Sequence, residues 1–280
     1  MAQYLSPRND YGFKKLFGSK DHKNLTMSFL NAVLSKIEGD LIVEVHFQNT
    51  EKFPEPAGGR RSFLDVHCID QKGKHFIIEM QNEYQSSFFE RMIYYTSLVY
   101  SRQKPVPFDY DNLMPVISIG VLSHVFNDKH SDVISEYMLM STKYHIVPSR
   151  HTVYYLIELP KFKKTKNELV TDIDKWLFFM QQAEKCNGIP TVFLEDKNFV
   201  EAFDILERMA WKEEDLFAYL AAEDAAGREY RIEKGAIERG EKKKAKETAC
   251  NLLGMNMSMQ DIAQVTGLSI EDIETLQKKD

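Results

Sequence analysis

A short stretch in the first third of the chain, FLDVHCIDQKGKHFIIEMQ at residues 63–81, constrains the fold more than any other part of the sequence. It contains two runs rich in β-branched and aromatic residues, separated by Gln71–Gly73. Gly73 stands where a three-residue hairpin loop needs a left-handed backbone. The stretch therefore predicts two antiparallel strands, Ser62–Asp70 and Lys74–Gln81.

The predicted hairpin brings two carboxylates together. If Asp70 pairs with Lys74, then Asp65 lies opposite Glu79, and Cβ atoms of cross-strand neighbours are about 4.5–5.5 Å apart. Carboxylates that close repel each other unless a proton or a cation lies between them, and such oxygen ligands suit Mg²⁺. A one-residue slip in register would place the two acids on opposite faces of the sheet.

Two interpretations of Glu79 follow from the residues alone. Its neighbours Phe76–Ile78 and Met80 are apolar, which favours a buried carboxylate that needs a partner. The alternative is that Glu79 lies on the solvated face of an antiparallel sheet and that Asp65 is an ordinary polar strand residue. The residue pattern leaves both open.

Around the hairpin, the hydrophobic pattern switches between strand and helix periods, which is typical of an α/β protein. Helix is predicted over Asp10–Lys36, with a break at Gly18–Asp21. A second helix of about four turns is predicted after Gln85, and further helices are predicted from Asn167 onward. Strands are predicted at Leu41–Phe47, Pro115–Ser123, Tyr137–Met140 and Val153–Leu159. We therefore expect a core over residues 1–160, a helical extension over 161–226 and a small helical module over 227–280.

The last part of the chain has the spacing of a compact helix-turn-helix. Its second helix, Ser269–Leu276, contains three acidic residues and no Lys or Arg. Because phosphates repel an acidic helix, we expect this module to complete the fold or to form a homo-oligomer rather than to read DNA.

Composition limits the location and the partners of the protein. No run approaches about 18 apolar residues, the first residues lack the apolar stretch of a secretory signal, and three cysteines have no metal-like spacing. We therefore expect a cytoplasmic protein with no membrane segment. The net charge of −6 excludes a uniformly basic coat but not a local basic path for nucleic acid. Motifs for nucleotide cofactors, zinc hydrolysis and serine acyl transfer are missing from the sequence.

Five blocks of sequence occur in an order that resembles a known family: NDYGFKKLFG, RRSFLDVHC, GKHFIIEMQ, ERMIYYTSLVYSRQ and LMPVISIGVL. They resemble the recombination-promoting nuclease/putative transposase family of the PD-(D/E)XK nuclease superfamily, in detail over residues 5–125. The resemblance implies a restriction-endonuclease-like core with a central mixed β-sheet flanked by helices, followed by the mostly helical C-terminal region.

The resemblance also implies an activity and a site. The activity is hydrolysis of DNA phosphodiesters with Mg²⁺, for which Mn²⁺ can substitute, in connection with DNA recombination or mobile elements. Asp65 and Glu79 would be the metal ligands, and Gln81 would stand where the superfamily usually has lysine. Asp10 matches an acidic position that often completes the site, although Asp10 or Asn9 also fits the N-cap of the first helix.

Gln81 departs from the superfamily pattern in a way that matters for chemistry. An amide carries no positive charge and is not a practical general base, whereas lysine stabilises a developing anion. The alternative function is therefore a catalytically weak or inactive nuclease-like module that binds DNA or another partner.

Several basic residues are candidates for contact with the DNA backbone. Arg60 and Arg61 precede the first hairpin strand, and Arg91 lies on the helix that follows the hairpin. A denser cluster, Lys161–Lys166, contains Lys163 and Lys164. Such residues often form only a solvated surface, so the sequence leaves both interpretations open.

Overall fold

The computed structural model describes residues 3–34, 41–49, 64–103, 110–207, 211–255 and 257–277. Two compact units, Met1–Glu223 and Asp224–Asp280, divide the chain. Arg60 and Arg61 lie outside the described residues. The three-part division at residues 160 and 226 stays a prediction.

A mixed sheet forms the centre of the first unit. In the described residues it has six strands in the order β1-β2-β3-β4-β6-β5. The pairs β3–β4 and β4–β6 are parallel, and the pairs β1–β2, β2–β3 and β5–β6 are antiparallel. Their bounds are β1 Val45–Phe47, β2 Val66–Asp70, β3 His75–Gln81, β4 Val116–Leu122, β5 Ile134–Met138 and β6 Thr152–Glu158. The predicted α/β class with a central mixed sheet is therefore confirmed.

The predicted hairpin is confirmed in its pairing. Val66 pairs with Ile78 across β2 and β3, and the Asp70 N–H donates to the Lys74 carbonyl oxygen at 3.0 Å. Gly73 has a φ of +83°, the left-handed conformation that the short loop requires. The strand β2 begins at Val66, later than the predicted Ser62, which lies outside the described residues.

Helices cover both faces of the sheet. The first unit contains α1 Asp10–Phe17, α2 Lys23–Leu34, α3 Phe88–Arg102, α4 Asp172–Gln182 and α5 Lys197–Leu206. Side chains of α1, α2, α4 and α5 share one hydrophobic cluster with β2–β4 and β6, whereas α3 packs on the alternate residues of the sheet. All seven residues of β4 are buried, as expected for a central strand covered on both faces.

A tryptophan anchors the helices to one another. The indole ring of Trp176 on α4 lies 4.5 Å from the Phe199 ring and 5.4 Å from the Phe17 ring, centroid to centroid. Its Nε1 donates to Ser28 Oγ at 3.2 Å. The helix α4 thus connects α1, α2 and α5 in one aromatic core.

The start of α1 is capped by Asn9. Its Oδ1 accepts hydrogen bonds from the backbone N–H groups of Tyr11 and Gly12 at 2.9 and 3.3 Å. Asp10 is the first helical residue, so the interpretation of Asp10 as the N-cap is wrong. Its carboxylate is thereby available for contacts elsewhere.

Three helices form the C-terminal region: α6 Glu213–Gly254, α7 Met259–Thr266 and α8 Ile270–Gln277. In the second unit, Ala249, Ile262, Leu268 and Ile273 form a small hydrophobic cluster. Gly267 ends α7 with a φ of +69°. The predicted compact pair of helices is therefore confirmed. In the described part of the chain, none of the helices combines the length and apolar character needed to cross a bilayer.

Candidate active site

The site is built where β3 reaches its carboxyl end beside the start of β2. The Asp65 N–H donates to Glu79 Oε1 at 3.3 Å, and the Met80 N–H donates to Asp65 Oδ2 at 2.9 Å. The two carboxylates therefore lie side by side, as the register predicts. Glu79 is only 5% exposed, which decides between the two interpretations in favour of a buried acid.

The surroundings of the pair disfavour its charged form. Burial raises the pKa of Asp65 to about 6, and the nearby Asp10 adds to the shift, while the Lys14 ammonium opposes it. Burial and the Asp65 carboxylate raise the pKa of Glu79 well above its ordinary value. A cation placed between the two groups would relieve this cost.

The donor set fits a hard divalent cation. The described residues contain no cluster of three or more His, Cys, Asp or Glu side chains arranged around a metal position. Mg²⁺ needs fewer protein ligands, since one or two carboxylates commonly hold it and water and substrate phosphate complete the shell. Asp65 and Glu79 supply such a pair.

Lys14 is the site residue that the sequence patterns missed. Its Nζ lies 3.2 Å from Asp65 Oδ1 and 2.7 Å from Asp10 Oδ1. The spacing of Asp10 and Lys14, one helical turn apart, is visible in the sequence and predicts their pairing. Nothing in that spacing indicates that α1 approaches the hairpin, which lies much later in the chain.

Gln81 is engaged at both ends of its amide. Arg91 Nη2 donates to Gln81 Oε1 at 2.5 Å, and Gln81 Nε2 donates to the Glu83 carbonyl oxygen at 2.8 Å. Arg91 also donates to Gln85 Oε1 at 2.7 Å. These bonds connect α3 to the end of β3, and Gln81 is buried beside Glu79.

A glycine controls how closely α3 approaches the site. Gly120 on β4 pairs with Glu79. A Cβ atom at this position would lie 2.9 Å from the Phe88 ring, closer than real contacts allow. The absence of a side chain therefore lets Phe88, in the first turn of α3, pack directly over β4 next to the strand that carries Glu79.

The lysine cluster does not form one free basic surface. The side chain of Lys161 is 8% exposed and its Nζ donates to Glu158 Oε1 at 2.8 Å, so the expectation that it joins a phosphate-binding path is wrong. Lys164 Nζ lies 2.7 Å from Asp174 Oδ1. Lys163 is exposed and forms no ion pair with the other described residues.

A family model described as PD-(D/E)XK nuclease family transposase matches residues 7–234 of the chain. The match includes the whole sheet and all of the site residues described above. No curated protein and no solved structure matches the chain. The family resemblance seen in the sequence blocks is thereby confirmed, and the mixed sheet with flanking helices is a restriction-endonuclease-like fold.

Proposed function

Since the chain belongs to the family of PD-(D/E)XK nuclease family transposases, we propose that it is a DNA endonuclease that depends on a divalent metal. Mg²⁺ is the expected ion, and Mn²⁺ is expected to replace it. The observation that carries the proposal is the buried pair Asp65 and Glu79, held side by side with raised pKa values. Such a pair opposes folding unless a cation or proton compensates it, and buried acids with raised pKa values are concentrated at functional sites.

Each residue of the site has a role that follows from its contacts. Asp65 and Glu79 would hold the metal, which would supply an activated water, orient the phosphate and offset charge on the leaving oxygen. Their backbone hydrogen bonds keep the two carboxylates in place before any ligand arrives. Gln81 is a positioning residue, because its amide is used to hold Arg91 and thus α3 against β3.

The second candidate function is a nuclease-like module that binds DNA without cutting it. Two observations favour it: an amide stands at position 81, and the Lys14 ammonium already forms an ion pair with Asp65 at 3.2 Å. The two candidates differ in whether phosphodiester bonds are broken, so one assay separates them.

Purified protein is expected to nick or linearise supercoiled plasmid DNA when Mg²⁺ or Mn²⁺ is added, and to leave it intact with a chelator. Gel electrophoresis of the plasmid measures cleavage, and a mobility-shift assay with the chelator measures binding. Binding without cleavage under either metal would favour the module. Cleavage that persists with the chelator would exclude a metal-dependent reaction.

DNA binding is expected to depend on exposed lysines. A surface cleft of about 1110 Å³ has the exposed Lys166 and Lys185 in its lining, and Lys163 lies close by in sequence. These residues, with Arg60 and Arg61, are our candidates for contact with phosphates. Arg91 is a weaker candidate than the sequence indicates, because its guanidinium is already bonded to Gln81 and Gln85.

Lys163 and Lys164 form a matched pair for testing this path. Lys163→Gln is expected to weaken DNA binding about two- to threefold and to lower the salt dependence by about one counterion. Lys164→Gln is expected to change binding less, because Asp174 already neutralises that ammonium. Fluorescence anisotropy across a salt series measures both. Equal effects of the two substitutions would contradict the assignment.

Location and partners follow as proposals. All three cysteines are free thiols, which fits the expected cytoplasmic location. Homo-oligomer formation through the C-terminal helical module and a connection to DNA recombination or mobile elements stay predictions.

A further inference from the structure

We propose that Lys14, on α1, is the catalytic cation of this site, whose ammonium contacts the scissile phosphate and offsets the negative charge that develops there. The inference rests on the proposed nuclease function. Lys14 would supply, from α1, the positive charge that Gln81 on β3 lacks.

Geometry singles out Lys14. Its Nζ lies between Asp10 Oδ1 at 2.7 Å and Asp65 Oδ1 at 3.2 Å, directly at the proposed metal ligand. The Lys14 side chain is 35% exposed, whereas that of Asp65 is 10% exposed. The ammonium therefore stands on the solvent side of the carboxylate pair, where a phosphate would arrive.

Arg91, another cation near the site among the described residues, already makes other contacts. Arg91 lies close enough to Glu79 to oppose the rise in its pKa that burial causes, but its two terminal nitrogens donate to Gln81 and Gln85. Its guanidinium carbon also lies 5.3 Å from the centre of the Phe88 ring. A phosphate would have to break these bonds to use Arg91, whereas the ion pairs of Lys14 among the described residues are with the carboxylates Asp10 and Asp65.

The helix α1 is anchored so that Lys14 faces the hairpin. Phe13 and Phe17 on the same helix are fully buried in the hydrophobic core. Lys15, the next residue, points to a different partner, with its Nζ 2.5 Å from Asp215 Oδ2. Two adjacent lysines with similar exposure thus have separate environments, which provides a matched control.

The proposed role of Lys14 in phosphodiester hydrolysis requires only a fixed positive charge. In hydrolysis a water oxygen bonds to phosphorus and the bond to the leaving oxygen breaks. One proton of the water ends on the leaving oxygen, and the other stays with the phosphate product or enters the solvent. Lys14 keeps its protons throughout and acts by electrostatic stabilisation, for which a single donor typically contributes about 10²–10³-fold in rate.

The experiment compares wild-type protein with Lys14→Gln, Lys14→Arg and the control Lys15→Gln. We expect Lys14→Gln to slow plasmid cleavage by about 10²–10³-fold, Lys14→Arg to restore part of the loss, and Lys15→Gln to stay within about threefold of wild type. Thermal melting curves establish that each variant is folded.

Mn²⁺ binding, measured by calorimetry without DNA, provides a readout independent of activity. Because the ammonium competes with a metal for Asp65, Lys14→Gln is expected to bind Mn²⁺ several-fold more tightly than wild type. Slower cleavage together with tighter metal binding is the signature of a catalytic cation. A residue that merely supports the carboxylates would weaken metal binding when removed.

Each result decides the proposal. If wild-type protein cuts DNA and Lys14→Gln cuts equally well, the role of Lys14 is excluded while the nuclease function stands. If Lys14→Gln loses both cleavage and Mn²⁺ affinity, Lys14 is a structural support and the proposal is wrong. If wild-type protein never cuts DNA, the nuclease function fails and the catalytic role of Lys14 fails with it.

Discussion

Replacing Asp65 by asparagine or Glu79 by glutamine is expected to reduce DNA cleavage by about a thousandfold or more, and to make the metal-free protein more stable. Loss of a proposed metal ligand is the reason for the first effect. The second effect follows from burial: both carboxylates have raised pKa values in the folded protein. Their ionised forms therefore oppose folding in the absence of a metal.

The pH dependence of this effect has a definite sign. The pKa of Asp65 is about 6 when folded, above its ordinary value, so its contribution to stability falls as the pH rises through that range. The pKa of Glu79 shifts in the same direction. The stability gain from Glu79→Gln should thus be largest at alkaline pH, where the carboxylate of the unfolded chain is ionised, and should vanish in acid, where the carboxyl is protonated in both states.

Glutamine is a suitable replacement because its Oε1 can still accept the hydrogen bond from the Asp65 N–H. Thermal melting with a chelator at several pH values measures stability, and the plasmid assay measures cleavage. Glu90→Gln, on the exposed face of α3, is the control and should change neither. A variant of Asp65 or Glu79 that still cuts DNA at the wild-type rate would exclude that residue as a ligand. An inactive variant with a lowered melting temperature would indicate a structural role.

Glu158→Ala is expected to have the opposite effect on stability, a loss of about 3–5 kcal/mol, because it breaks a buried ion pair and leaves its partner uncompensated. Glu158 is fully buried. Its Oε2 accepts hydrogen bonds from the backbone N–H groups of Phe126 and Asn127 at 2.7 and 3.1 Å, and its Oε1 accepts one from Lys161 at 2.8 Å. The carboxylate thus holds the loop after β4.

Burial alone would raise the pKa of Glu158, but Lys161 and the two backbone donors outweigh it and lower the pKa. A lowered pKa means that the stabilisation is complete above the ordinary value for glutamate and is lost as the pH falls through the lower folded value. Chemical denaturation near neutral pH and in acid measures this difference. Glu195→Ala, which removes an exposed carboxylate, is the control. A loss below about 1 kcal/mol for Glu158→Ala would contradict the buried ion pair as a stabilising unit.

The contrast between these two predictions helps to identify the site. Glu158 and Asp174 are buried carboxylates with lowered pKa values, because lysine and backbone donors satisfy them. Asp65 and Glu79 are buried with raised pKa values. Burial by itself therefore does not indicate a functional acid. A buried carboxyl whose charge is not offset by enough cations and hydrogen-bond donors does.

The sequence by itself determined the local part of the site. Side chains alternate along a strand, and the loop Gln71–Gly73 sets the register, so the placement of Asp65 opposite Glu79 follows from period and turn chemistry, whereas their expected role as metal ligands came from the family resemblance. The run Pro115–Ser123 likewise indicates a strand covered on both faces, which β4 is. These features depend on residues close together in the chain, whose patterns are strong.

Only the tertiary structure decided what faces each of these residues. Periodicity assigns a side chain to a face, but the partner on that face comes from another element and leaves no trace in local spacing. Lys14 reaches Asp65 because α1 packs beside the hairpin. Lys161 is not available to contact DNA because it forms an ion pair with the buried Glu158. The charge at the site was visible in the sequence, whereas the balance of that charge depends on distances that only the packed chain defines.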